Sequence, residues 1–294
     1  MKVIIIGTGN IGTAAQKAVM AAPDMELVGV YHHYEIESLE DGSGAAYSLE
    51  DADVALICLP TRESPTFAEK MLNMGISTVD SFDIHTQIPE VRQHLMSVAQ
   101  ATQGVSIISA GWDPGSDSMI RALLHVLAPE GQTFTNFGPG RSMGHTVAAK
   151  AIEGVKNALS ITLPLGKGKH GRHVYIELEE GYDLEDVRQR LLADDYFAHD
   201  ATEVELVDDV EQYQTTAHGV LLERTGVASG KDNQQLKFEM KIDNPSLTAQ
   251  FMVGCARAAY RLKQEGRYGC YTTIELAPVW MLQGSAEDNV KALV

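Results

Sequence analysis

Residues 7–12 read Gly-Thr-Gly-Asn-Ile-Gly, a GxGxxG that follows the apolar run Val3–Ile6 and leads into a helical pattern over 12–22. Glycines at that spacing allow a tight turn, close approach of backbone to a pyrophosphate, and close helix–strand packing. The helix N-terminus adds free N–H groups and partial positive charge. Gly7, Thr8, Gly9, Asn10, Ile11 and Gly12 are therefore the expected dinucleotide-phosphate loop. At the end of the second strand an acid ordinarily selects NAD and an arginine NADP. Here the stretch is Tyr31-His32-His33-Tyr34-Glu35, without arginine and with its acid a few residues late. His32 and His33 can donate to a phosphate, or serve as plain loop histidines, so the cofactor choice stays open.

Two acids stand where open α/β sheets bind their ligands, just past the carboxyl ends of strands. Asp83 lies in Thr78-Val79-Asp80-Ser81-Phe82-Asp83-Ile84-His85, and Asp113 in Ser109-Ala110-Gly111-Trp112-Asp113-Pro114-Gly115. Either acid could be a turn former or helix cap, with Ser116 or Asp117 capping the helix that follows. Both acids converging with Trp112 would instead suit a substrate ammonium, the carboxylates giving charge and the indole a packing face. Further on, Gly138-Pro139-Gly140-Arg141-Ser142-Met143-Gly144-His145-Thr146 is a loop entering a helix, suited by its N–H groups to a carboxylate. Thr162, Arg172 and His218 lie in or beside separate strands, and each alone reads more readily as an ordinary surface or structural side chain than as a ligand group.

The elements that must position these groups alternate. Strand patterns at Val3–Ile6, Glu26–Tyr31, Val54–Leu59, Ser77–Asp80 and Val105–Ser109 are separated by helix patterns at 12–22, 64–74 and 86–103. Such alternation implies right-handed crossovers and a parallel sheet. After Gly115 the pattern changes: 132–137, 158–164, 172–179, 203–207, 217–225 and 235–242 alternate as in an antiparallel sheet, with a helix at Asp183–Leu192. A turn at Asp243-Asn244-Pro245 closes that block, then a helix over Thr248–Gln264 and a strand over Tyr271–Leu276 return to the first fold. The expected fold is α/β, a Rossmann-like doubly wound parallel sheet interrupted by an α+β substrate and dimerisation domain. Its boundaries are 1–115 plus 247–294 for the dinucleotide-binding domain and 116–246 for the inserted one.

Forty acids against 23 Lys and Arg give a net charge of −17, which argues against non-specific nucleic-acid or anionic-membrane binding. Three cysteines without a CxxC pair argue against a zinc site or disulfide framework, and no metal is expected. A chain opening on MKVIIIG, with no 18-residue apolar run, reads as a soluble protein of a reducing cytoplasm.

Taken together, GTGNIG, APDMELVGV, TVDSFDIH, SAGWDPGSDS, NFGPGRSMGH, the Arg172 strand, Thr215–Val220 and KIDNPSLTA resemble the meso-diaminopimelate dehydrogenase family. The likeness runs in order from residue 3 to about 278, and the short Thr162–Arg172 link resembles its compact branch. The resemblance implies NADP-dependent, reversible oxidative deamination at the D-centre of meso-2,6-diaminopimelate, giving L-2-amino-6-oxopimelate (tetrahydrodipicolinate) for lysine biosynthesis, in a homodimer or larger homo-oligomer. By position it implies that Asp83 and Asp113 are catalytic and hold the D-ammonium beside Trp112. Met143 and Gly144 would meet the neighbouring carboxylate through backbone, while Phe137, Thr162, Arg172, His218 and Asn244 surround the L-end. Asp83, or a water beside it, would relay the amine's proton; His145 is a second candidate but reads first as a structural histidine at a helix start. His32-His33-Tyr34 depart from the family's usual arginines, which leaves NAD beside NADP as a cofactor. The alternatives are another amino-acid dehydrogenase of similar plan and a catalytically silent NADP-binding sensor.

Overall fold

The computed structural model describes residues 1–37, 49–214 and 218–294. Residues 215–217 of the Thr215–Val220 motif lie outside the described residues. The chain forms two compact units, Met1–Ala122 with Pro245–Val294, and Leu123–Asn244.

The first unit is built on six parallel strands in the order β13-β5-β4-β3-β1-β2. These are β1 (Lys2–Ile6), β2 (Glu26–Tyr31), β3 (Val54–Ile57), β4 (Ser77–Asp80), β5 (Val105–Ile108) and β13 (Gly269–Thr272). Strands β3, β4 and β5 are buried at every position, as strands covered on both faces must be. Helices α1 (Asn10–Ala21), α2 (His33–Glu37), α3 (Ser64–Asn73), α4 (Ile88–Ala101) and α5 (Ser116–Leu127) follow successive strands. Two apolar clusters result: Val3, Ile5, Leu56 and Val79 lie with Ala249, Met252 and Val253, while Ile4, Ile6 and Ile57 pack with Phe67, Met71 and Leu95. The strand order reverses at β1, and in open sheets of this kind ligands bind at the carboxyl ends beside such a reversal.

The second unit contains β6 (Glu130–Phe137), β7 (Gly140–Arg141), α6 (Met143–Lys150), β8 (Val155–Gly166), β9 (Lys169–Leu178), α7 (Leu184–Ala193), β10 (Ala201–Leu206), β11 (His218–Ala228) and β12 (Lys231–Ile242). Instead of one antiparallel sheet there are two, β10-β9-β8-β7 and β12-β11-β6. The β9–β10 pair is parallel, because α7 supplies the crossover that parallel neighbours need. Asp183 caps α7, accepting from the N–H groups of Glu185 (2.9 Å) and Asp186 (3.4 Å). Val187 and Leu191 then pack on Val174, Ile176 and Phe197.

The return helix α8 (Asn244–Gln264) starts four residues earlier than its apolar pattern, since Pro245 is tolerated in a first turn. Strand β13 stops at Thr272 rather than Leu276. There the Glu275 carboxylate takes both the N–H (2.8 Å) and the hydroxyl (3.0 Å) of Thr272 and turns the chain. A last helix, α9 (Ala286–Leu293), ends the chain. Among the described residues no helix is long and apolar enough to cross a membrane.

Candidate active site

The nucleotide loop has the space its glycines imply. At Gly7 (φ +110°) a Cβ would lie 2.3 Å from the Cys58 carbonyl oxygen, and at Gly12 one would lie 2.0 Å from that of Gly7. At Gly9 a Cβ would meet nothing within 4 Å. The loop is thus packed on Cys58, just past β3, at Gly7, closed on itself at Gly12, and open in its middle. Gly9 is the N-cap of α1 and offers no side-chain bond, so the first helical N–H groups are left to a ligand. At the end of β2, His32 Nδ1 lies 3.1 Å from Thr8 Oγ1, and its ring stacks on Tyr34 at 5.1 Å. Glu35 Oε2 accepts the His32 N–H at 2.6 Å, so the late acid folds back to the strand end. His33 begins α2 beside it.

The two acids follow adjacent strands β4 and β5. Asp83 is exposed, with its N–H donated to Thr61 Oγ1 at 3.0 Å. Asp80, which sequence reading did not single out, is buried and accepts the N–H groups of Phe82 (2.9 Å) and Ser109 (3.4 Å) on one oxygen. It ties together the loops that carry Asp83 and Asp113. Burial pushes the Asp80 carboxyl up to about 6, against the pull of those two N–H groups.

Trp112 is 6 % exposed and the Asp113 side chain 15 %. Arg121 donates from Nη1 to Asp113 Oδ1 at 3.0 Å, and its Nη2 lies 2.8 Å from Asp117 Oδ2. Asp117 is therefore not the cap considered for it: it lies inside the first turn of α5, wholly buried, one helical turn from Arg121. Burial first, then the Asp113 charge, pushes its carboxyl up to about 8, with Arg121 opposing. The i,i+4 and i,i+8 spacing of Asp117 and Asp113 to Arg121 was the signal available in sequence.

The second unit brings its own set together. Register aligns Gly140, Thr162, Arg172 and Thr202 across the four-stranded sheet. Arg172, 8 % exposed, donates from Nη1 to Thr162 Oγ1 and from Nε to Asp200 Oδ2 at 2.8 Å. His145 and His170 each approach Asp200 to 3.8 Å, and His145 Nδ1 lies 2.9 Å from Ser142 Oγ. Burial and the Arg172 charge hold His145 below the usual imidazole range. Phe137 meets His170 and His218 edge-on at 6.3 and 6.4 Å. In the other sheet Phe137 faces Val220 and His218 faces Ile242, so Asn244 follows at the same sheet end. Met143 and Gly144 open α6. Asp200 escaped sequence reading because nothing in the chain links it to Arg172, 28 residues away.

Residues 111–168 match the model of the diaminopimelic acid dehydrogenase C-terminal domain. The chain is 47 % identical over its full length to meso-diaminopimelate D-dehydrogenase of Bacteroides fragilis, covering 99 % of that protein. It belongs to the meso-diaminopimelate D-dehydrogenase family. Among solved structures, DAP dehydrogenase of C. glutamicum in complex with DAP superposes with a TM-score of 0.84 at 28 % identity, covering 100 % of this chain and 99 % of that one. An engineered D-amino acid dehydrogenase bound to NADP⁺ gives 0.80 at 28 % identity with the same coverages. As a member of the diaminopimelate dehydrogenase family the chain is an amino-acid dehydrogenase with a Rossmann-like fold, and the nucleotide loop fits the nicotinamide cofactor of that chemistry.

Proposed function

We propose that this protein catalyses the reversible, NADP-dependent oxidative deamination of the D-centre of meso-2,6-diaminopimelate to L-2-amino-6-oxopimelate (tetrahydrodipicolinate), serving lysine biosynthesis in the cytoplasm as a homodimer or larger homo-oligomer. The observation that carries the reading is the position of Asp83 and Asp113. They follow adjacent strands β4 and β5 of the sheet whose β1 ends in the nucleotide loop. The 47 % identity to the B. fragilis enzyme supports the substrate.

In this reading the domain of residues 1–115 and 247–294 would hold the cofactor through Gly7–Gly12, with His32 and His33 toward a 2′-phosphate; a nicotinamide held there would supply the hydride acceptor for the amine-bearing carbon. Asp83 and Asp113 hold the reacting ammonium, and Trp112 shapes its surroundings. Arg121 compensates the Asp113 charge from behind. The ammonium must lose a proton before the carbon gives up hydride, and exposed Asp83, or a water beside it, passes that proton outward. Within the substrate domain, 116–246, the Met143 and Gly144 backbone takes the neighbouring carboxylate. Phe137, Thr162, Arg172, His218 and Asn244 hold the L-end, which selects one of two similar stereocentres.

The test is initial rates of reduced-cofactor formation with meso-diaminopimelate, run in parallel with NADP⁺ and NAD⁺ at pH about 10, where the amine is readily deprotonated. Turnover favouring NADP⁺ is expected. Turnover favouring NAD⁺ would overturn the cofactor assignment, and absence of turnover in folded, cofactor-binding protein would overturn the substrate.

A further inference from the structure

An α-amino-acid head carries one ammonium and one carboxylate, and its complement is a fixed cation beside a fixed anion. Arg172 and Asp200 are such a pair, joined Nε to Oδ2 at 2.8 Å. Around them stand the Thr162 hydroxyl, the Phe137 ring and the His145, His170 and His218 imidazoles. Among the described residues bonded or ion-paired to Arg172, Thr162, His145 and His170, the one carboxylate is Asp200. These four residues are rich in donors for a carboxylate, and Asp200 is the anion they hold for an ammonium.

The two oxygens of Asp200 are used unequally. Oδ2 takes Arg172 and faces His145, whereas among the described residues Oδ1 is approached by His170, at 3.8 Å and beyond hydrogen-bond length. The side chain is 21 % exposed, so Oδ1 keeps acceptor capacity that a ligand can reach. Burial and the Arg172 charge lower the His145 imidazole against the opposing pull of Asp200, which disfavours a second cation beside that carboxylate.

We propose that Asp200 is a specificity-determining residue: its Oδ1 accepts the far ammonium of a substrate that ends in an L-amino-acid head, while Oδ2 keeps Arg172 turned toward that head's carboxylate. The inference rests on the proposed function and extends it from recognition of the far carboxylate to recognition of the far ammonium. A residue serving only as counter-ion to Arg172 would behave differently, because it would be indifferent to whether that ammonium is present.

The experiment compares kcat/KM of the native chain and Asp200→Asn on meso-2,6-diaminopimelate and on D-2-aminopimelate, which lacks only the far amino group. Asparagine keeps an acceptor for Arg172 and removes the charge. The native chain is expected to prefer the diamino compound by at least about 10-fold, the size of one charge-assisted hydrogen bond. In Asp200→Asn the rate on the diamino compound should fall about 10- to 100-fold, and that on the monoamine by less than about threefold, so the preference collapses. Equal losses on both compounds, or an unchanged ratio, would overturn the assignment while leaving the proposed function intact. If the native chain turns over neither compound, the functional reading itself fails. A native preference below about threefold would refute the role of Asp200 without any variant, which covers the case where the substitution does not fold.

Discussion

Arg121 Nη1 meets Asp113 Oδ1 at 3.0 Å, so the acid assigned to the reacting ammonium is already balanced by a cation of its own helix-loop unit. The same guanidinium reaches the buried Asp117 through Nη2 at 2.8 Å. One fixed positive charge thus serves two carboxyl groups, one partly open to solvent and one sealed. Burial favours the protonated form of the sealed member, Asp117.

Asp117 carries a pH signature. Its folded value, about 8, lies above the ordinary carboxyl value, so the native state keeps a proton that the unfolded chain loses. That contribution to stability is complete at acid pH and is lost as pH rises from about 4 to about 8. Asp117→Asn stays neutral throughout and should therefore gain on the native chain over that window. Thermal melts of both proteins from pH 4 to 9 read the difference, and a gap that does not grow with pH contradicts it.

Loss of Asp113 should be costly for the reaction. Asp113→Asn keeps the shape and a partner for Arg121 but removes the charge that holds the ammonium, and kcat/KM for deamination should fall about 10- to 100-fold. Native deamination should also accelerate from pH 7 to 10 as the bound ammonium becomes easier to deprotonate. A flat profile over that range would count against this account of the proton.

Gly9 separates fold from binding. A methyl group there meets nothing in the protein, so Gly9→Ala should melt within a few degrees of the native chain. Its cofactor affinity should nevertheless drop at least about 10-fold, because the methyl occupies the approach of the pyrophosphate. Gly12→Ala should instead lose stability as well, since its Cβ would lie 2.0 Å from a backbone oxygen. Melting curves with parallel cofactor titrations distinguish the two.

His32 links the phosphate loop to the end of β2 through Thr8. His32→Ala should reduce kcat/KM with NADP⁺ more than with NAD⁺, and His33→Arg should raise the NADP⁺ preference, each by about 10-fold as expected for gain or loss of one phosphate contact. Kinetics with both cofactors for the two variants provide the check; an unmoved ratio would place the 2′-phosphate elsewhere.

Asp80→Ala should destabilise the chain by about 1–3 kcal/mol for each buried N–H left without its acceptor. Because those N–H groups belong to Phe82 and Ser109, the loops bearing Asp83 and Asp113 should loosen together. Urea denaturation measures the first effect and a raised KM the second.

The sequence by itself determined the parallel sheet, the glycine-rich loop after its first strand and both acids at strand ends. Those features are local: apolar runs bury strands on two faces, and glycine spacing and strand-end position are read along a few residues. It also carried the motifs by which the family is known. Tertiary structure alone decided which side chains meet. Asp117 looks like a cap until burial turns it toward Arg121, and Glu35 is a late acid until it folds back onto the His32 N–H. Asp200 joins Arg172 only because α7 carries the chain across to a parallel strand, setting β10 beside β9. A pairing between residues 28 apart depends on that crossover and on register, and neither leaves a periodic trace in the chain.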